Sequence, residues 1–153
     1  MRRAVRVVVA GGVAALFAAA CGSAPSSEAV SPAGPTAAPE TKATCEAVGE
    51  AYTRNIGPFA QALTEMVQVK QPTAASRTAA QQKLKALADS VRTATQTSGD
   101  PQLKSDGKQT ADQLQAKSAD AKFFGTIKTA ADVNTVLGPS LKEWLSPVTH
   151  HCS

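Results

Sequence analysis

Aromatic residues are few in this 153-residue chain, only 4% of it, with one Trp, one Tyr and four Phe. A core made without large rings falls to Ala, Leu and Val, which bury less surface apiece and leave little hydrophobic free energy to spare. Histidine is scarcer still, confined to His150 and His151 among the last four residues. A chain end usually frays, so a Ser-His-Asp or Cys-His set, whose base needs an orienting partner, is not expected. No stretch alternates apolar and polar residues over strand length, and no repeat recurs at a fixed period, so sheets and repeat architectures are excluded. The apolar run Val7 to Phe17 is too short to span a bilayer as a helix.

What is present begins with a leader. Met1, Arg2, Arg3 and Arg6 form a charged n-region, Val7 to Phe17 an apolar segment, and Ala18-Ala19-Ala20 a small-residue cleavage site, the order of a signal peptide over residues 1–20. Leu16-Phe17-Ala18-Ala19-Ala20-Cys21-Gly22-Ser23 resembles a lipobox, the motif of bacterial lipoprotein precursors, whose usual form is Leu, two small residues and Cys. Ala18 departs from it, standing where Leu is most common. The resemblance implies lipid on the Cys21 thiol, a mature chain starting there, and a place on the outer side of the cell membrane. An ordinary secretory signal cut at the same site, with Cys21 a free thiol, is the alternative. Arg2-Arg3 leaves twin-Arg export open, although Val5-Arg6 stands where that signal's apolar pair belongs.

The formal net charge of +4 suggests a basic protein, but Arg2, Arg3 and Arg6 would leave with the leader and the mature chain would be nearly neutral. The remaining cations alternate with acids, as in Lys83, Lys85, Asp89 and Arg92, so no nucleic-acid partner is expected. Residues 21–43 are Ser, Ala, Pro, Thr and Glu with almost nothing large and apolar; this composition reads as a disordered tether with an r.m.s. span of roughly 25 Å.

The folded domain is expected over residues 44–153 as an all-α bundle of about four antiparallel helices. Cys45, Val48, Tyr52, Ile56, Phe59, Leu63 and Met66 recur at helical spacing through Gly57-Pro58, which predicts a kink rather than a stop. A second helix runs from a Thr73 cap to about Thr97, and a third from Asp100-Pro101 to about Phe124, weakened by Gly107 and packed at its C-terminal end. Gly125 predicts a helix stop and Thr129 with Asp132 a capping box. The last apolar stretch, Val133 to Val148, is cut by Gly138-Pro139 into a kinked helix or two short ones.

With Cys21 taken by lipid, as the resemblance implies, Cys45 and Cys152 remain and allow one intramolecular pairing. That disulfide requires the two ends of the domain to meet, as an even number of antiparallel helices provides. A redox-active or intermolecular thiol is the alternative.

Chemistry-bearing residues are sparse. His150-His151-Cys152 groups possible metal ligands, but adjacent side chains on an extended segment point apart and Cys152 is taken by the disulfide, so no metal and no cofactor is expected. Glu46 and Glu50 stand one helical turn apart, as carboxylates on solvated faces often do, and no enzyme is expected. Phe59, Phe123, Phe124 and Trp144 fit or abut the apolar stripes and read first as core, with a ligand or partner surface opened by the kinks as the alternative. The composition and plan resemble small Ala-rich actinobacterial lipoproteins of unassigned function. The expectation is a binding or interaction module of the cell envelope, held at the membrane through Cys21 and meeting an envelope protein. The alternative is a carrier of a small apolar ligand.

Overall fold

The computed structural model describes residues 39–69 and 72–153. The expected leader, the Cys21 anchor and the tether as far as residue 38 lie outside the described residues. There is no strand among the described residues. The helices are α1 (Pro39–Gln68), α2 (Ala74–Gln96), α3 (Pro101–Ala119), α4 (Ala121–Thr126), α5 (Ala130–Thr135) and α6 (Leu141–Thr149). A π-helical turn, Val136–Ser140, joins α5 to α6, and a 3-10 turn, His150–Cys152, follows α6.

The first helix starts at Pro39 and not near 44, so the last part of the expected tether is helical. Pro39 takes the first position, where a missing N–H costs nothing, and Glu40 faces the positive end of the helix dipole. Thr44 is buried there because its hydroxyl donates to the Glu40 carbonyl at 3.0 Å. Beyond Gly57-Pro58 the helix continues without a break, and Phe59, Leu63 and Met66 are fully buried along it.

Capping residues set the next two starts. The Thr73 hydroxyl accepts from the Ser76 N–H at 3.1 Å, and Asp100 Oδ1 accepts from the N–H groups of Gln102 and Leu103 at 2.8 and 3.2 Å, with Pro101 beginning α3. The third helix packs along its length and not only at its C-terminal end, because Leu103, Gly107 and Leu114 are all buried. Gly107 packs tightly against α2: a Cβ there would overlap the Thr95 side chain. The expected run to Phe124 is divided at Asp120, which ends α3 and caps α4 by accepting from Lys122 and Phe123 N–H at 2.9 and 3.0 Å. Gly125 does not stop a helix; α4 passes through it to Thr126.

The capping box at α5 is present in both directions, Asp132 N–H to Thr129 Oγ1 at 3.2 Å and Thr129 N–H to Asp132 Oδ2 at 2.9 Å. Gly138-Pro139 falls in the π turn. An α-helical turn would place the proline ring against the Thr135 carbonyl, and the wider turn lets Leu141 N–H reach back to Val136 instead. Leu141, Trp144, Leu145 and Val148 stay buried beyond it.

Helix α1 packs on α2, α2 on α3, α3 on α6, and α1 on α5 and the final turn, so four rods close around one core. Phe59, Leu63, Met66, Leu84, Leu87, Leu114, Phe124 and Trp144 fill it. A smaller cluster of Val48, Leu103 and Val148 lies towards the other end. There the Cys45–Cys152 disulfide joins the N-terminal part of α1 to the final turn, with Cα atoms 5.5 Å apart.

Candidate functional site

Beside the disulfide, α1 and the π turn leave an open groove of about 360 Å³. Val48, Leu141 and Leu145 line it as buried side chains, with Val91 of α2 reaching it from the core, and Tyr52 and half-buried Leu137 line it nearer solvent. The helical spacing that places Val48 and Tyr52 on one face of α1 also places Cys45 there, so the disulfide closes one end. Two glycines keep the space open: a Cβ on Gly49 or Gly138 would meet nothing within 4 Å. Lys142 and Thr149, with Tyr52, bring polar groups to a mostly apolar lining. A small concave apolar surface with few polar groups is the usual form of a ligand site.

The aromatic residues singled out from the sequence lie elsewhere. Phe59, Phe124 and Trp144 are 0%, 1% and 5% exposed and belong to the filled core, so they line no groove. Phe123 is half-buried at the core's edge, packed edge-to-face on Phe124 and Trp144 with ring centroids 5.0 and 5.5 Å away and Lys117 Nζ 5.7 Å over its face. Tyr52, assigned to the core stripe, is one of two large hydrophobic residues exposed among the described residues; the other is Val69. The kink at Pro139 does border an opening, whereas Pro58 does not line it.

The expected extended segment at the two histidines is not what forms. His150 and His151 sit on a 3-10 turn and not on an extended tail, and their rings stack with centroids 4.0 Å apart. His151 Nε2 lies 2.8 Å from Asp106 Oδ2 on α3; a carboxylate only accepts, so the imidazole donates. Both side chains are 13% exposed. The His151 contact and then the Gln102 amide hold the Asp106 carboxyl below its ordinary pKa of 3.8. Nothing in the spacing of Asp106 and His151 signals this pairing, which needs the topology that lays the last turn across α3.

Asp112, Asp120 and Asp132 are displaced the same way: Lys108 and Arg92 hold Asp112, the Phe123 N–H is the main cause at Asp120, and the Lys128 N–H at Asp132. These groups are held as anions, the opposite of what a general acid requires. Glu46 and Glu50 are exposed on α1, and Glu50 lies 3.8 Å from Arg54. None of the helices among the described residues is long and apolar enough to cross a membrane.

Fold and site together define an all-α, disulfide-closed bundle with a small apolar groove. No family model, curated protein or solved structure matches the chain.

Proposed function

We propose that the protein is an envelope lipoprotein, anchored through Cys21 on the outer face of the cell membrane, whose bundle is a binding module for a small apolar ligand. The observation that carries the reading is the groove beside the Cys45–Cys152 bridge, apolar and kept open by Gly49 and Gly138. Its volume of about 360 Å³ is within the range of small-molecule sites. A stable protein partner asks for about 800 Å² of surface, with a broad apolar centre. Exposed large hydrophobic residues among the described residues amount to Tyr52 and Val69, which is too little for that. The ligand's body is apolar, and a single polar end would face Lys142 and Thr149. The reading is of binding without chemistry.

Gly49→Leu tests the site, since leucine is the better helix former and its side chain would occupy the groove. Native mass spectrometry of the detergent-extracted protein from its own membranes should find a small-molecule adduct on the wild type that is absent from Gly49→Leu. An adduct retained by the variant, or none on either, would overturn the assignment. A protein-sized adduct lost from the variant would instead favour the second reading, an interaction module that receives a partner's apolar side chain in the groove. The anchor is tested separately: Cys21→Ser should release the protein from membranes or leave an uncleaved precursor, and an unchanged lipidated form refutes it.

A further inference from the structure

Near the disulfide but on the α3 side of the final turn, three potential ligand groups converge. One ligand atom from each of Asp106, His150 and His151 lies within 4.8 Å of the others. We infer that these residues form a binding site for one divalent transition-metal ion of the nitrogen-preferring, zinc-like class.

Three features argue for an ion rather than a hydrogen bond alone. Asp106 and His151 are already close, with Nε2 and Oδ2 at 2.8 Å, and an ion with ligands at about 2.0–2.2 Å replaces the proton between them after a small separation of the two groups. In the bound ring the proton sits on Nδ1, so His151 ligates as a neutral imidazole, and a net proton reaches solvent only where the ring starts as imidazolium. The supporting shell is also in place: Gln102 Nε2 donates to both carboxylate oxygens of Asp106 at 3.1 and 3.2 Å and fixes their plane. His150 Nδ1 lies 3.3 Å from the Ser146 carbonyl, a contact it makes as donor. That tautomer leaves Nε2 as a lone-pair ligand, the usual second-shell arrangement of a metal-binding histidine.

His150 is exposed, so closing its ring onto the ion disturbs only its stacking on His151. Two imidazoles and one carboxylate suit zinc, copper or nickel better than calcium or magnesium, which prefer oxygen throughout. Three protein ligands leave the remaining coordination to water. The disulfide fixes the backbone that bears the histidines, since Cys152 follows His151 directly.

The test uses the full chain in detergent without a polyhistidine tag, stripped with EDTA and titrated with zinc chloride near neutral pH in a calorimeter. One equivalent should bind, and zinc should raise the melting temperature. His150→Ala should lower the affinity by at least about tenfold, and Gln102→Ala should lower it by about ten- to a hundredfold. Cobalt(II) should give the visible absorption of a nitrogen- and oxygen-ligated ion, lost in His151→Ala. Because the His150 ring is exposed, His150→Ala stays folded and keeps the test open even if Asp106→Asn or His151→Ala destabilises the bundle. No zinc binding to the wild type overturns the inference. So does binding that His150→Ala leaves unchanged, since the cluster is then a hydrogen-bonded clamp alone.

Discussion

Thr95 of α2 and Gly107 of α3 face each other with no room for a Cβ between them. Thr95 is 1% exposed, its hydroxyl donating to the Val91 carbonyl at 2.9 Å, so it cannot swing aside without leaving a buried polar group unpaired. Gly107→Ala should therefore destabilise the protein by about 1–3 kcal/mol in thermal or urea denaturation, although alanine is the better helix former. Gly125→Ala, on an exposed turn where a Cβ meets nothing within 4 Å, should stabilise it by up to about 1 kcal/mol. If both substitutions stabilise, the two helices are not in close contact at Gly107. Read in sequence, Gly107 looked like a flaw in a weak helix and Gly125 like a stop. What a glycine is for depends on the residue facing it, and one-dimensional spacing does not contain Thr95 opposite Gly107. Tyr52 was misplaced for the same reason, since its period fits the stripe while its side chain borders the open groove instead of a packed neighbour.

At the scale of elements, the caps were legible because they are local. Thr73, Asp100-Pro101 and the Thr129–Asp132 pair each satisfy N–H groups within a few residues of themselves. Asp120 was not, because Ala121 and Phe124 seemed to continue the apolar face of α3 and hid the break. The start of α1 was missed where a Pro-Glu-Thr stretch serves equally as tether or first turn. Asp120→Ala should lower the melting temperature followed by circular dichroism by removing the cap of α4. Hydrogen bonds to the ionised form lower the folded-state pKa of both Asp120 and Asp132 below 3.8. Their contribution is thus present above the unfolded value and is lost as pH falls through the folded one. Stability should decline on acidification below about pH 4, and less steeply in Asp132→Asn. An identical acid limb in wild type and variant, followed by circular dichroism, would remove the cap from the account.

At the scale of the whole molecule, the final turn is held on two sides, by Cys152 to Cys45 of α1 and by His151 to Asp106 of α3. The first clamp was readable because a paired cysteine at each end of a helical domain fixes how the ends meet; the second required the fold. The bridge spans 107 positions, and the chain-entropy model assigns such a loop roughly 4–5 kcal/mol, all of it through the unfolded state. That is close to the whole stability of a small domain, about 5–15 kcal/mol, and the core here is poor in aromatics. Reduction should therefore lower the melting temperature by many degrees. The Cys45→Ala, Cys152→Ala double variant should show the same loss and no further response to reductant. Since both cysteines border the groove, ligand affinity should fall in the same variant even at temperatures where circular dichroism remains native. If the melting temperature is unchanged, the ends are held by the His151–Asp106 contact and the Val48, Leu103 and Val148 cluster, and the bridge only records a proximity that packing already imposes.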